Sequence, residues 1–357
     1  MSTESKKVWV VGHKNPDTDS ICSAIAYADL KCKMTGKKYT PKRAGQLSPE
    51  TEFVLKHFGV KTPGFISDVR EQVKDMEIRV VPTLSKEMSL KAAWDVMDKE
   101  TLSTLPILDE DKCLKGLISV ADIAKSYMNV YDSEILAKAE TPYRNILEVL
   151  EGSMVVGNPD DCVTSGKVLI GAAKPEMMEN FVEEGDIVIV GDRYEAQLCA
   201  IEMKAKCVVV CTGANVAKTI TRMAEQRGCA IIQTKYDTFI ASRLINQSMP
   251  IDFFMRKEGF VTFTTEDFLD DIKSVMAEKR HRDFPILDKD GHYIGMISRR
   301  NLLNVKKKDI ILVDHNEVDQ AVDGLQSANI LEIIDHHKIG SLETMGPVYF
   351  RIAMCKQ

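Results

Sequence analysis

The feature of this sequence that most constrains its fold is an internal repeat. The residues Pro-Ile-Leu-Asp at 106–109 return at 285–288, and Gly-Leu-Ile-Ser at 116–119 returns as Gly-Met-Ile-Ser at 295–298. Both pairs share an offset of 179 residues, so chance is a poor explanation. Each copy follows a stretch with helical periodicity and precedes a helix that opens with serine. The sequence therefore predicts two strand–turn–strand–helix modules separated by other structure.

The composition excludes several classes of protein. The chain has 357 residues with 53 acidic and 47 basic side chains, a length that predicts two or three domains. An acidic balance without a long basic run disfavours nucleic acid as a partner. Nine cysteines without a C-x-x-C pair favour reduced thiols and a cytoplasmic location. The longest apolar runs, such as 187–190 and 207–211, fall far short of the roughly 20 residues that span a bilayer, so no membrane partner is expected.

The opening of the chain has the pattern of a β-strand followed by a helix. Residues 8–11 are rich in valine, and Ile21, Ala24 and Ala28 recur at helical spacing. Asp17, directly after a proline, marks the junction, because aspartate caps backbone N–H groups and suits the positive end of a helix dipole. The chain is therefore predicted to open with a βα unit.

The segment between the two repeats has the pattern of a further α/β domain. Short apolar runs at 186–190, 206–211 and 229–233 alternate with helical stretches. Cys207 and Cys211 share one face of the second run. As metal ligands they would need partners that the sequence does not offer, so they are interpreted as buried core thiols.

The repeated modules resemble a pair of CBS domains, which bind adenine nucleotides and associate as dimers. In that family a Ser or Thr hydroxyl contacts phosphate, and an Asp three positions later holds the ribose. Ser119 and Asp122 match this pattern, whereas the second copy has Ser298 and Asn301. The resemblance implies nucleotide binding by these residues, with one of the two sites altered, and a homodimer.

The segment between the repeats resembles the DRTGG domain, which is named for its motif. Asp192-Arg193 follows the first apolar run and Thr212-Gly213-Ala214 follows the second, with alanine in place of the last glycine. Two CBS domains enclosing a DRTGG domain imply an insert that senses adenine nucleotides.

Three polar segments that directly follow apolar strands contain four of the seven histidines, at residues 12–19, 313–317 and 334–338. Because the carboxyl ends of parallel strands lie along one edge of a sheet, these segments are expected to converge. Crowded carboxylates and imidazoles would repel and desolvate one another unless cations neutralised them. The pattern therefore predicts a divalent metal site.

The ligand types narrow the choice of metal. Two imidazoles with several carboxylates and no thiolate suit Mn, Co, Mg or Fe better than structural zinc. Three or more carboxylates exceed what one catalytic ion requires, which indicates a two-metal centre acting on phosphate. Taken singly, Asp17 would be a helix cap and His315 a structural residue, but three clusters at strand ends have no packing purpose. The other histidines are interpreted as surface or module residues: His57, His281 and His292.

The three segments contain the motifs His13-x-x-x-Asp17-x-Asp19, Val313-Asp314-His315-Asn316-Glu317 and Asp335-His336-His337. This series resembles that of the family II inorganic pyrophosphatases, manganese- or cobalt-dependent members of the DHH phosphoesterase superfamily. The insert between the first two motifs is similar to that of the regulated subgroup, in which a CBS pair encloses a DRTGG domain. The resemblance runs from Val8 to about Arg351.

The resemblance implies two metal sites that share one carboxylate: His13, Asp17 and Asp314 at one, and Asp19, Asp314 and His336 at the other. His337 would contact the substrate phosphate or supply a proton, which makes it the catalytic residue together with the bridging carboxylate. Asp335 would orient the neighbouring imidazole, and His315 and Glu317 would support the site from outside the ligands. The cofactor would be Mn²⁺ or Co²⁺, with Mg²⁺ as a candidate companion of the substrate.

The fold class implied is α/β: a parallel-sheet DHH-type catalytic domain interrupted by a CBS pair and an α/β DRTGG-like domain. The expected divisions are 1–70 and 306–357 for the catalytic domain, 71–135 and 249–305 for the CBS domains, and 136–248 for the DRTGG-like domain. The function implied is hydrolysis of pyrophosphate. AMP, ADP, ATP or diadenosine polyphosphates would regulate it.

The resemblance has one departure. The sequence stops six residues after Arg351, whereas the family's catalytic domain continues with a further metal-binding Asp and a second domain whose lysine and arginines grip pyrophosphate. The catalytic domain is therefore expected to be truncated, and this chain alone is expected to be weakly active or inactive.

Two other functions stay open. A non-catalytic nucleotide-binding regulator would fit a complete insert beside an incomplete catalytic domain. Another DHH-type phosphoesterase would act on oligonucleotides or cyclic dinucleotides. The Asn15-Pro16 pair and the Asp-His-Asn-Glu segment at 314–317 favour pyrophosphatase over the latter, as does the lack of basic and aromatic clusters for a single-stranded substrate.

Overall fold

A computed structural model describes residues 7–128, 132–340 and 342–352. The described residues divide into two compact units. The first contains the chain up to Ile78, Phe263–Arg282 and the residues from Ile297 onward, and the second contains Arg79–Thr262 and Asp283–Met296. The final segment 353–357, in which a departure from the family is expected, lies outside the described residues.

Helices and strands alternate along most of the chain. The segment before the first repeat forms β1 (Val8–Val11), α1 (Thr18–Thr35), β2 (Tyr39–Arg43), α2 (Pro49–His57) and β3 (Gly64–Phe65). The first repeat forms α3 (Leu90–Glu100), β4 (Thr104–Leu108), β5 (Leu114–Ser119) and α4 (Val120–Met128). The intervening segment forms α5 (Ile135–Lys138), α6 (Tyr143–Val149), β6 (Ser153–Val156), β7 (Val168–Ile170), α7 (Pro175–Met178), β8 (Ile187–Val190), α8 (Tyr194–Glu202), β9 (Cys207–Val210), α9 (Lys218–Arg227), β10 (Ala230–Gln233) and α10 (Thr238–Leu244). The second repeat and the segment after it form β11 (Phe263–Thr264), α11 (Leu269–Glu278), β12 (Asp283–Leu287), β13 (Tyr293–Ser298), β14 (Asp309–Val313), β15 (Asn329–Asp335) and β16 (Tyr349–Ile352).

The first unit is built on a six-stranded sheet in the order β16-β15-β14-β1-β2-β3, and every neighbouring pair is parallel. From β1 the sheet continues through β2 and β3 on one side, and from β14 it continues through β15 and β16 on the other. The carboxyl ends of β1 and β14 therefore flank the switch point of the sheet, where open α/β sheets bind ligands. The three polar segments lie at this edge, as the sequence predicts.

Helix α1 packs on one face of this sheet. Ala24 and Ala28 on the helix are buried with Val10 of β1, because small side chains let a helix approach a β-branched strand closely. The helix begins at its Asp17 cap and ends at Gly36, which adopts a left-handed conformation with φ of 67°. The predicted βα opening is thus confirmed.

The second unit contains a five-stranded sheet in the order β6-β10-β9-β8-β7. Strands β7 to β10 run parallel and β6 is antiparallel at the edge. All residues of β8 and β9 are buried, as expected for central strands of a covered sheet. Cys207 and Cys211 are fully buried, and burial raises the pKa of the Cys211 thiol to about 11. Their interpretation as core thiols is confirmed.

The two repeats differ after their second strand. In the first repeat, β4 and β5 form an antiparallel hairpin that leads into α4. In the second repeat the sequence predicts a helix, but Arg299–Asn304 form a 3₁₀ helix. The expectation of an α-helix after the second repeat is therefore wrong, and β14 begins at Asp309.

Among the described residues, no helix combines the length and apolarity needed to cross a membrane.

Candidate metal centre

The loop between β1 and α1 places His13 and Asp17 at the switch point. Asp17 Oδ1 accepts a hydrogen bond from the backbone N–H of Ser20 at 2.8 Å, and Ser20 Oγ accepts one from the backbone N–H of His13 at 3.0 Å. A side chain on Gly12 would collide with Ser20, so this tight turn requires glycine. Asp17 therefore caps the helix while its carboxylate stays near the imidazole of His13.

The end of β14 places Asp314 in an unusual conformation. Its φ is 62°, in the left-handed region that costs a residue with a Cβ about 1–2 kcal/mol. Its backbone N–H donates to the carbonyl of Ile334 on β15 at 2.9 Å. Non-glycine residues held in such conformations cluster at functional sites, because the surroundings must over-determine them. The strain at Asp314 marks this position as one with a role beyond packing.

The carboxylate of Asp314 faces two imidazoles, one from each neighbouring strand. Its Oδ2 lies 3.4 Å from His13 Nε2, and its Oδ1 lies 3.0 Å from His336 Nε2. Asp17 Oδ1 lies 3.7 Å from His13 Nε2, and Asp19 Oδ2 lies 3.7 Å from His336 Nε2. The group thus has two halves, each with an imidazole and a helix carboxylate, and one carboxylate common to both.

The electrostatics of these groups arise from their contacts. The hydrogen bond to Asp314 raises the pKa of His13 above its ordinary value, although burial opposes this. Burial disfavours the charged form of Asp314, but the hydrogen bonds with His13 and His336 outweigh it and lower the pKa of the carboxyl group. The carboxylate is therefore ionised, and beside it His13 binds a proton more readily than an isolated imidazole does.

The end of β15 carries Asp335, which organises the two histidines after it. Asp335 Oδ1 accepts hydrogen bonds from the backbone N–H groups of His336 and His337 at 2.7 and 3.1 Å, and from His337 Nδ1 at 2.8 Å. Burial opposes ionisation of Asp335, but these hydrogen bonds lower its pKa. His337 is half exposed, and its Nδ1 lies 3.9 Å from Asp314 Oδ1.

The two residues expected to support the site lie outside this group. His315 is buried behind His13, with ring centroids 6.4 Å apart, and its Nδ1 contacts the carbonyl of Val313 at 2.9 Å. Burial lowers the pKa of His315. Glu317 accepts a hydrogen bond from Gln320 at 3.2 Å.

The donor set fits divalent cations. One ligand atom each from His13, Asp17 and Asp314 lies within 4.8 Å of the others, and the same holds for Asp314 with Asp335, His336 and His337. Imidazole nitrogens mixed with carboxylate oxygens suit Mn²⁺ or Co²⁺. The two oxygens of Asp314 point to different imidazoles. A carboxylate that bridges two ions requires this arrangement. A cavity of about 330 Å³ opens beside Asp19, Asp314 and His336.

Two residues that hold this arrangement were not singled out by the sequence: Ser20 and Asn316. Ser20 binds both His13 and Asp17, and Asn316 is buried between the segments that come after β14 and β15. Ser20 lies three residues after a helix-capping aspartate and Asn316 lies inside the second motif. Only these positions in the sequence could have indicated that the two residues support the site.

The residues expected to bind nucleotide form hydrogen bonds with one another, Ser119 with Asp122 and Ser298 with Asn301. Asp122 Oδ2 accepts hydrogen bonds from the backbone N–H and the hydroxyl of Ser119 at 2.9 and 2.6 Å, and lies 3.5 Å from Arg256 Nε. In the second repeat, Asn301 Oδ1 accepts from the backbone N–H and the hydroxyl of Ser298, both at 2.8 Å. Asp122 and Asn301 thus make the same contacts with the serine three residues earlier, but only Asp122 carries a charge and only Asn301 donates, to the carbonyl of Glu77.

Comparison with protein families supports the organisation of the insert. The CBS domain family matches residues 73–129 and 251–308, and the DRTGG domain family matches residues 145–248. In a structural comparison, the CBS and DRTGG domains of the regulatory region of Clostridium perfringens pyrophosphatase, complexed with the activator diadenosine tetraphosphate, match with a TM-score of 0.62 and 36% identity. The match covers 64% of this chain and 100% of that one.

Whole-chain relatives extend the similarity to the metal centre. A cobalt-dependent inorganic pyrophosphatase of Clostridium perfringens is 41% identical over 344 residues, 96% of this chain. A probable manganese-dependent inorganic pyrophosphatase of Thermotoga maritima is 36% identical over 97% of this chain. The chain spans 63% of the length of each of these relatives.

Proposed function

We propose that this chain serves the hydrolysis of pyrophosphate to two phosphates under the control of adenine nucleotides, as a member of the cobalt- and manganese-dependent inorganic pyrophosphatases whose regulatory region combines CBS and DRTGG domains. The observation that carries the proposal is the carboxylate of Asp314, whose oxygens lie 3.4 and 3.0 Å from the imidazoles of two different strands.

The proposed ligands form two sets around the shared carboxylate: His13, Asp17 and Asp314, and Asp19, Asp314 and His336. When bound, two divalent ions supply Lewis-acid stabilisation for the charge that develops on phosphate oxygens. The α1 cap and Ser20 hold the first set on the helix, and the left-handed conformation of Asp314 turns its carboxylate toward both.

The proposed role of His337 is to contact the substrate phosphate or to supply a proton. Asp335 accepts from its Nδ1, which fixes a proton on that nitrogen and leaves Nε2 to act on the substrate. Its half-exposed side chain is accessible to a ligand at the edge of the sheet. His315 and Glu317 are proposed to support the centre without binding metal. Their hydrogen bonds go to Val313 and Gln320 and, in the described part of the chain, not to the shared carboxylate.

The proposed regulation rests on the insert. The ranges matched by the CBS and DRTGG families support the expected divisions at 71–135, 136–248 and 249–305. We infer that adenine nucleotides bind through Ser119 and Asp122, with Ser298 and Asn301 forming the altered site, and that the protein is a homodimer. The cysteines in the described ranges are free thiols, which supports a reducing compartment such as the cytoplasm.

A nucleotide-binding regulator is the second candidate function. It is favoured by the structural match, in which the region covered is the regulatory region alone. The two candidates differ in their requirement for metal, since a regulator has no need of the paired imidazoles at Asp314.

Phosphate release from pyrophosphate with Mn²⁺ tests the proposal. We expect little release from the 357-residue chain by itself, and more release when it is joined to the part of the Clostridium perfringens relative that it does not span. His337→Ala should abolish the activity of the joined protein, whereas His57→Ala, a change outside the centre, should leave it unchanged. A joined protein that binds Mn²⁺ without hydrolysing pyrophosphate would overturn the proposal and favour the regulator.

A further inference from the structure

Asn316 occupies the space between the two polar segments of the metal centre. Its side chain is 3% exposed. Its Nδ2 donates to Asp335 Oδ2 and to the carbonyl of Lys338, the latter at 2.9 Å, and its Oδ1 accepts from the backbone N–H of Gly340. The amide therefore ties the segment after β14 to the end of β15 and the five residues beyond it.

The partners fix the orientation of this amide. The Gly340 N–H can only donate, and the Lys338 carbonyl and the Asp335 carboxylate accept, so oxygen and nitrogen cannot exchange places. An aspartate at this position would have the same shape but no donor, and it would place a second negative charge against Asp335. The site thus requires an amide for a physical reason.

The backbone at Gly340 lies close to Asn316 and Glu317. A side chain on Gly340 would lie 2.6 Å from Glu317 Cγ and 2.7 Å from Asn316 Oδ1. The absence of a Cβ there allows the backbone to approach the amide closely. The backbone on both sides of His337 is therefore held by Asn316, directly at residues 338 and 340 and through Asp335 at residue 337.

We infer that Asn316 is a positioning residue for His336 and His337, acting through Asp335. Asn316 saturates Asp335 Oδ2, so that Asp335 Oδ1 is left to accept from both backbone N–H groups and from His337 Nδ1. This selects the Nδ1-protonated tautomer of His337 and keeps His336 Nε2 beside Asp314. The catalytic role of His337 rests on the proposed function. The hydrogen bonds of Asn316 and Asp335, from which the inference is drawn, do not.

The buried amide of Asn145 offers a matched control. It is 5% exposed and donates from Nδ2 to the carbonyl of Glu87 at 2.9 Å, in the unit that lacks the metal centre. Replacing either asparagine by aspartate removes a buried donor, so both changes are expected to lower the melting temperature.

The experiment compares Asn316→Asp with Asn145→Asp in the full 357-residue chain. Two readouts separate positioning from stability: nitrogen NMR of the histidine side chains in the metal-free protein, and calorimetric titration with Mn²⁺. We expect Asn316→Asp to shift His337 away from the Nδ1-protonated tautomer and to weaken Mn²⁺ binding by about 10- to 100-fold. Asn145→Asp should change neither.

An unchanged tautomer and unchanged Mn²⁺ affinity in Asn316→Asp would overturn the inference. Should that variant not fold, Asn316→Ala, which removes the amide without adding a charge, makes the same test with the same expected and contrary outcomes. Failure of the unsubstituted chain to bind Mn²⁺ would sink the proposed function instead, and the tautomer measurement would still decide the role of Asn316.

Discussion

Substitutions at Asp314 separate its backbone strain from its role as a ligand. At a φ of 62°, alanine bears the cost of a Cβ in the left-handed region, about 1–2 kcal/mol, and glycine does not. Both remove the carboxylate that faces His13 and His336. In the metal-free protein, Asp314→Gly should therefore be more stable than Asp314→Ala by about 1–2 kcal/mol. For a unit of this size that corresponds to a melting temperature higher by roughly 2–8 °C.

Metal binding should respond differently from stability. Each proposed ion loses a ligand in either variant, so both should bind Mn²⁺ more weakly by at least about 100-fold, beyond the effect of losing a supporting hydrogen bond. Asp314→Asn keeps one oxygen and a residue type that tolerates the left-handed region. In chelator it should melt below the unsubstituted protein, because the hydrogen bonds of the ionised carboxylate with His13 and His336 are weakened. It should also bind Mn²⁺ poorly, because the charge is gone.

Scanning calorimetry in chelator and titration with Mn²⁺ measure the two effects. An Asp314→Ala variant as stable as Asp314→Gly would refute the argument from backbone strain. Retention of Mn²⁺ affinity by either variant would refute the argument that this carboxylate is shared between two ions.

Three further predictions concern protons and nucleotides. Because the pKa of His13 is raised by Asp314, Mn²⁺ must displace a proton from His13 near pH 6.5, and Mn²⁺ affinity should rise with pH. Titrations in buffers of different ionisation heat should show proton release at pH 6.5 and less release at pH 8. Equal Mn²⁺ binding at both pH values would contradict this prediction. Although burial opposes it, the hydrogen bonds from Arg70 lower the pKa of Asp68, so Asp68 stabilises the fold above its unfolded pKa of about 3.9 and loses this effect as pH falls through its lower folded value. Asp68→Asn should therefore lower the melting temperature more at pH 6 than near pH 2, and an equal loss at both would refute the assignment. Millimolar AMP or ATP should raise the melting temperature by mass action, less so in Asp122→Ala, and melting curves unmoved in both proteins would contradict nucleotide binding by the insert.

The sequence sufficed to predict the elements whose patterns are local. Strands β1 and β14 are apolar runs with polar residues after them, and the rule that parallel strands share a carboxyl edge brought His13 and Asp314 together across some three hundred residues. The fold class is indicated by the same alternation of strands and helices. The CBS family matches ranges that contain the two repeats, and the DRTGG family matches a range between them.

Other features depend on tertiary contacts that no local pattern encodes. The left-handed conformation of Asp314 arises because its N–H reaches the neighbouring strand, and aspartate is common in many conformations. The sequence places Asn316 in a motif but does not predict its hydrogen bonds, since its three partners lie 19 to 24 residues away along the chain. The 3₁₀ helix at Arg299–Asn304 was also missed, because sequence periodicity does not distinguish a short 3₁₀ helix from the first turns of an α-helix.

Electron paramagnetic resonance of the chain titrated with Mn²⁺ tests most directly whether it holds two divalent ions bridged by Asp314. The arrangement of the carboxylate between His13 and His336 predicts two Mn²⁺ per chain at saturation, with the signal of an exchange-coupled pair that Asp314→Asn removes. A single uncoupled Mn²⁺ at saturation, or coupling that survives Asp314→Asn, would contradict it.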